Sequence, residues 1–144
     1  MEALADSPAA FAERFEAASA RGGEDFRAEL DHGAIWGVFD GQSCVGMAGF
    51  DRHVGANVAH KATIWGVYVT PAARGSGAAD ALFDALVAHA RGAGVEQLHL
   101  GVGEANAPAR RFYERRGFKR YGLELEAVKL ADRYVDEVLM VLRL

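Results

Sequence analysis

The apolar positions of this chain change period twice, and each change marks a change of element. Ala34 to Phe39, about Ser43 to Asp51, and Ala62 to Val69 are short runs rich in aromatic and β-branched residues. Asp40-Gly41 and a glycine-containing loop bound them, which predicts three strands in an antiparallel meander. Past Ala78 the period becomes helical, with Leu82, Phe83, Leu86, Val87 and Ala90 on one face until Gly92-Ala93-Gly94 stops the helix. Val95 to Val102 then reads as a buried strand, with Gln97 and His99 alternating with Leu98 and Leu100. A strand, helix, strand succession implies a right-handed crossover, so the strands of Val67 and Leu98 are expected to lie parallel and adjacent. A helix from about Asn106 to Arg116, a break at Gly117, and strands near Phe118 to Val128 and Tyr134 to Leu142 complete the C-terminal half. Near the N-terminus, Ser7-Pro8 is a helix start with Phe11, Phe15 and Ala18 on one face. Gly22-Gly23 ends that helix, and a second short one spans about Glu24 to Leu30. The fold class is α/β: a mixed, mostly antiparallel sheet flanked by helices, in one domain over residues 1–144.

A chain of 144 residues is long enough to bury one core without disulfides or metal. The net charge of −4 argues against nucleic acid or a membrane surface as partner, since both repel an acidic protein. The arginine-rich stretch Arg110, Arg111, Arg115, Arg116, Lys119 and Arg120, interleaved with Phe112 and Tyr113, offers RNA contact as a third and distant reading. A solvated helix face is the preferred one. Cys44 is the sole cysteine, and its apolar neighbours Val45, Met47 and Ala48 predict a buried small hydrophobe rather than a nucleophile. The beginning Met1-Glu2-Ala3-Leu4-Ala5-Asp6 lacks a cationic stretch followed by an apolar run, and no segment has the length of a membrane span. The expectation is a soluble, cytoplasmic protein. No metal-ligand spacing stands out.

Between strand and helix lies Val67-Tyr68-Val69-Thr70-Pro71-Ala72-Ala73-Arg74-Gly75-Ser76-Gly77-Ala78-Ala79. Gly75 and Gly77 remove the Cβ atoms that would block backbone approach, and the first N–H groups of the following helix point into the space left, so an anion is the natural occupant. The segment fits neither the Walker nor the dinucleotide glycine pattern. One helix terminus contributes only about 0.3–1 kcal/mol per anion, so several N–H groups and Arg74 are needed to hold a pyrophosphate.

A second motif follows: Asn106-Ala107-Pro108-Ala109-Arg110-Arg111-Phe112-Tyr113-Glu114-Arg115-Arg116-Gly117-Phe118. Together the two motifs make the chain, over roughly Ile35 to Leu142, resemble the GNAT N-acetyltransferase superfamily. Arg74, Gly77 and Ala79 meet its Arg/Gln-x-x-Gly-x-Gly/Ala loop. Asn106, Ala109, Phe112, Tyr113, Gly117 and Phe118 meet its later pattern. Asp136-Glu137 before Met140 resembles its usual ending. The resemblance implies a GNAT fold with a central parallel strand pair splayed apart at its C-terminal end, and an enzyme that uses acetyl-CoA as acetyl donor without metal. Backbone groups of Tyr68 and Val69 would then pair with the pantetheine arm. The amides of Arg74, Gly75, Ser76, Gly77, Ala78 and Ala79 would hold the pyrophosphate, and Asn106 would add a side-chain bond to the cofactor. An amine of a small molecule or peptide would attack the thioester directly in a ternary complex, its oxyanion met by a backbone N–H near Val69, and Tyr113 would act as general acid to the leaving thiolate. An acyl-CoA-binding regulatory domain with little activity is the alternative.

The base is less evident. Many members of that family carry a glutamate on the strand equivalent to His60 to Val69; here there is none, Lys61 stands at a frequent glutamate position, and His60 is the nearest substitute, with Glu104 and His53 behind it. Glu124 and Glu126 alternate with leucines, so they are expected on one strand face that borders the acceptor cleft or simply faces water. The strand and helix with which the family normally begins are not expected before Leu4-Ala5-Asp6-Ser7-Pro8: either the chain is shortened, or the first strand is absent and the strand near Ile35 is expected at a sheet edge, where pairing between copies would give a homodimer. Acceptor choice would rest with the loops at Gly22 to Asp31, His53 to His60 and Val128 to Tyr134.

Overall fold

In a computed structural model, residues 2–6 and 35–144 are described. The expected helices at Ser7 to Gly22 and Glu24 to Leu30 lie outside the described residues. A short helix α1 (Glu2–Asp6) is followed by strands β1 (Ile35–Asp40), β2 (Ser43–Arg52) and β3 (Lys61–Val69). Then come a 3-10 turn (Pro71–Ala73), helix α2 (Ala78–Gly92), strand β4 (Gln97–Gly103), helix α3 (Ala107–Arg115), and strands β5 (Lys119–Lys129) and β6 (Tyr134–Arg143). The strands form one six-stranded sheet in the order β1-β2-β3-β4-β6-β5. β3 and β4 are parallel and joined through α2; every other pair is antiparallel. This is the α/β arrangement expected from the sequence, with β1 at one edge of the described strands. No helix among the described residues is long and apolar enough to cross a membrane.

The core lies between the sheet and the two long helices. α2 buries Leu82, Phe83, Leu86 and Ala90, the apolar stripe read from its spacing. They meet Ala48, Phe50, Ala62 and Ile64 of β2 and β3, and Leu98 and Leu100 of β4. Phe83 is the centre: its ring lies 5.2 Å from Phe112, 5.6 Å from Tyr113 and 6.2 Å from Phe118. The Phe112 and Phe118 contacts are edge-to-face and the Tyr113 contact tilted; such aromatic packing adds about 0.5–1.5 kcal/mol per pair beyond area burial, so it fixes α3 against α2. Arg116 at the end of α3 also reaches across to Asp80 and Asp84 on α2.

Two irregularities shape the sheet. The parallel ladder between β3 and β4 has only three pairs, Lys61↔Gln97, Ala62↔Leu98 and Thr63↔His99. Beyond them β4 continues with β6 to Gly103↔Glu137, and β3 continues with β2 to Val69↔Gly46, so the two strands part. Within β3 the step from Trp65 to Tyr68 faces the shorter step from Gly49 to Met47. The extra residue is a bulge at Gly66, whose φ of 58° is left-handed and therefore suits glycine. A bulge bends its strand, and this one bends β3 where it leaves β4.

A second bulge sits in β2, where the register against β1 shifts between Val38 and Phe39. It changes the phase of the apolar run and corrects one expectation: Cys44 is exposed, not buried, and its thiol donates to the Gly46 carbonyl at 3.4 Å. A third, between Glu124 and Val128 in β5, breaks the alternation that would put Glu124 and Glu126 on one face. Glu126 is left-handed at φ 53°, and its amide donates to Asp136 Oδ1 at 2.7 Å.

Candidate active site

Where β3 and β4 part, a cleft of about 440 Å³ opens. One wall is Ile64, Trp65, Gly66 and Val67 of β3; the other is Leu100 to Gly103 of β4, with Val135 and Glu137 of β6 behind it. Asn106, Ala109 and Tyr113 of α3 close one end. Positions i, i+3 and i+7 share a helix face, so a single stripe of α3 supplies all three. The edge of β3 that faces β4 has no strand partner among the described residues from Ile64 onward. Its backbone groups are thus free to bond an extended ligand as a neighbouring strand would.

Tyr113 is buried, 6 % exposed, and packed on Phe83 and Phe118, yet it lines the cleft. Burial pushes its phenol far above the usual value of 10, so the hydroxyl keeps its proton throughout the ordinary pH range. Asn106 occupies the N-cap of α3, where its Oδ1 accepts from the Ala109 amide at 3.2 Å. The expected side-chain bond to a ligand therefore falls to its remaining NH2 group.

The glycine loop turns into α2 through Gly77, which is left-handed at φ 90°. A Cβ at Gly75 or Gly77 would meet nothing within 4 Å, so the loop surface is open. Not every amide expected there faces outward. Arg74 and Ser76 donate to Pro71 and Ala73 carbonyls, and the Ala78 amide donates to Ser76 Oγ at 3.3 Å. The amides of Gly75, Gly77 and Ala79 make no hydrogen bond to a described residue, and they are the ones available to an anion. A groove of about 480 Å³ runs beside the loop, lined by Ser76, Gly77 and Ala78 together with Val38 and Phe39. The Arg74 side chain is engaged elsewhere: its Nε donates to the Val69 carbonyl at 3.2 Å, and its terminal nitrogen meets Asp6 at 2.6 Å. Tyr68 is likewise inward, its hydroxyl donating to Glu2 Oε1 at 3.4 Å. Desolvation, then the nearby Asp6 carboxylate, raises its phenol.

His60 does not reach the cleft. It lies just before β3, at the paired end of the parallel strands, where its carbonyl accepts from the Glu96 and Gln97 amides. Seven residues of strand separate it from Val67, roughly 23 Å at 3.3 Å per residue, which removes it as a base for chemistry at the open end. His53 sits at that same far end, its ring bonded to Thr63 Oγ1 at 2.9 Å. Two carboxylates reach the cleft: Asp6, which is paired with Arg74, and Glu137, half-buried on β6. The Glu137 Oε2 lies over Gly101, in space that any Cβ there would take. Desolvation, and secondarily the Glu124 charge across the β5–β6 pair, raises its carboxyl above the usual value. Sequence reasoning passed over Glu137 as a site residue; a glycine at 101 opposite the end of β6 was the signal that room had been left for it.

Residues 3–118 match the family described as "Acetyltransferase (GNAT) family". Among solved structures, the fold is similar to the ribosomal-protein-alanine N-acetyltransferase of Brucella melitensis, with a TM-score of 0.75 and 23% identity over 84% of this chain and 78% of that one. It is similar to an acetyltransferase of GNAT family from Streptococcus pneumoniae, with a TM-score of 0.79 and 17% identity over 87% and 79%. It is also similar to yncA of Salmonella typhimurium, solved with its cofactor acetyl-CoA, with a TM-score of 0.73 and 21% identity over 83% and 72%.

Proposed function

The chain belongs to the GNAT acetyltransferase family, and on that premise we propose that it moves the acetyl group of acetyl-CoA onto a primary amine of a small molecule or peptide. Transfer is direct, with donor and acceptor bound together. The observation that carries this reading is the cleft itself: a β3 edge with no partner among the described residues ends beside a buried tyrosine, and a loop with three amides likewise unpartnered among them follows in the chain.

The residues present suit acetyl-CoA, which as donor supplies an activated acetyl thioester at one end and a pyrophosphate at the other. The unpaired backbone from Ile64 to Val69 takes its amide-bearing arm in the manner of an added strand, the Asn106 NH2 group adds one bond, and the amides of Gly75, Gly77 and Ala79 take the pyrophosphate. Arg74 acts there through the loop rather than as a free cation, because it holds the carbonyl of Val69 and is neutralised by Asp6. Tyr113 offers its proton to the departing sulfur. A reference phenol near 10 against a thiol near 8.5 makes that transfer uphill by about 2 kcal/mol in water, and the burial that raises Tyr113 also raises a thiol held beside it.

The test is release of free thiol from acetyl-CoA with a panel of amines, for the wild type and Tyr113→Phe. General-acid loss lowers kcat by about 100-fold or more with little change in acetyl-CoA affinity. Unchanged turnover removes Tyr113 as the acid. Acetyl-CoA binding with no thiol release for any amine replaces the enzyme reading by that of an acyl-CoA-binding regulatory domain.

A further inference from the structure

The side of the cleft opposite α3 has its own chemistry. Successive side chains of β4 alternate, so Leu98, Leu100 and Val102 enter the core while His99, Gly101 and Gly103 face the other way. Glu137 is paired with Gly103 and therefore shares that second face. On the β3 side Trp65 lines the same cleft, 37 % exposed, and its ring lies over Gly49, where a Cβ would overlap three ring carbons. Two strand positions without side chains, Gly49 and Gly101, thus seat an indole on one wall and a carboxylate on the other.

From this we infer that Trp65 and Glu137 form the acceptor half of the cleft, holding a cationic amine against the indole and receiving one of its protons on the Glu137 carboxylate. The inference rests on the acetyl-transfer reading above. An ammonium is the group that an aromatic face and a carboxylate both favour, whereas an alcohol gains from neither charge contact and an anionic acceptor is repelled by Glu137 and Glu124. The other charged groups at the cleft are compensated by partners of their own: Asp6 by Arg74, and Arg133 by Asp132 at 3.6 Å. His99, on the same face as Glu137, is held toward its neutral form, first by burial and then by Lys61. The proton balance is complete. The ammonium gives one proton to Glu137, and the freed lone pair forms the C–N bond. The C–S bond breaks with its electron pair to sulfur, and a second N–H proton ends on that sulfur, donated through Tyr113. Glu137 then returns its proton to water. An amine near 10.4 holds its proton too tightly for an ordinary carboxylate, and the raised Glu137 narrows that gap.

The experiment compares kcat/KM from pH 6 to 10 for the wild type, Glu137→Gln, Glu137→Asp and Gly101→Ala, with phenethylamine as acceptor. Glu137→Gln is expected to lose about 100-fold or more at pH 7 and to regain activity as the amine deprotonates unaided toward pH 10. Glu137→Asp recovers part of the loss, and Gly101→Ala, which pushes the carboxylate aside, shows part of it; acetyl-CoA affinity is retained in all three. Independently of turnover, phenethylamine added with CoA raises the melting temperature of the wild type but not of Glu137→Gln, and the neutral isostere 2-phenylethanol raises neither. Transfer whose pH profile is the same in wild type and Glu137→Gln overturns this inference alone. No thiol release from the wild type with any amine overturns the transferase reading and this inference with it.

Discussion

Asn106 caps α3 and, in the proposed function, also contacts acetyl-CoA, and a pair of substitutions separates the two. In Asn106→Ala the Oδ1 that accepts from the Ala109 amide is lost, leaving a donor at the start of α3 without its cap. Such truncations cost about 0.5–2 kcal/mol, and at 3.2 Å on an exposed site we take about 1 kcal/mol, equivalent to roughly 3 °C in Tm for a chain of this length. Asn106→Asp keeps an oxygen at the same place and adds a negative charge that the helix N-terminus favours by about 0.3–1 kcal/mol, so its Tm equals or exceeds that of the wild type. Affinity for acetyl-CoA follows the other half of the side chain. Both variants lack the NH2 donor, worth about 0.5–1.5 kcal/mol, so Kd rises about two- to tenfold in each, and more for Asp against an anionic ligand. Thermal melts without ligand and isothermal titration with acetyl-CoA read the two effects separately. An Asp variant as destabilised as the Ala variant refutes the cap; wild-type affinity in both refutes the ligand contact.

Phe83→Ala removes a fully buried ring from the junction of α2, α3 and the sheet and is expected to cost about 3–5 kcal/mol, read as a lower midpoint in urea with unchanged m; a loss below 1 kcal/mol would show that the aromatic cluster is not the centre of the core. Glu137→Gln is expected to raise Tm at pH 7 while lowering activity. With its folded-state value raised above the ordinary 4.5, Glu137 stabilises the fold fully only below that value, and its contribution is lost as pH rises through the folded value, so ionised Glu137 is a net cost near neutrality. The gain in the variant therefore closes as pH falls toward 4. A pH-independent difference, or a Glu137→Gln protein less stable at pH 7, would contradict it.

Periodicity carried most of the fold. The stripe of α2, the three strands before it and the crossover to β4 were legible because each follows one period over a long enough run. Bulges were not legible, since a single inserted residue at Gly66, or a phase change beside Cys44, alters which face a residue shows without altering the apolar count. Of the candidate site, Asn106 and Tyr113 were legible because both stand in the motif from Asn106 to Phe118 by which the chain resembles its family. His60 was a matter of chain proximity to β3, and proximity along a strand is distance in space. Glu137 escaped because Asp136 and Glu137 are adjacent carboxylates of which alternation alone does not say which faces the cleft; only the pairing of β6 with β4 decides it.

The three residue pairs that join β3 to β4 make the sheet a lever. All the ladder pairing lies at one end, and the cleft proposed to receive substrate lies at the other, about four residues or roughly 13 Å beyond Thr63. A rotation of the two half-sheets by some 5° about that joint moves the mouth by ~1 Å, a misplacement large enough to cost ~100-fold in rate. The Thr63–His53 bond and the His99 ring next to it sit on the pivot. Substitutions there set the aperture of a reaction they never touch, and a search for better or altered turnover has as much to gain at the joint as at the walls of the cleft.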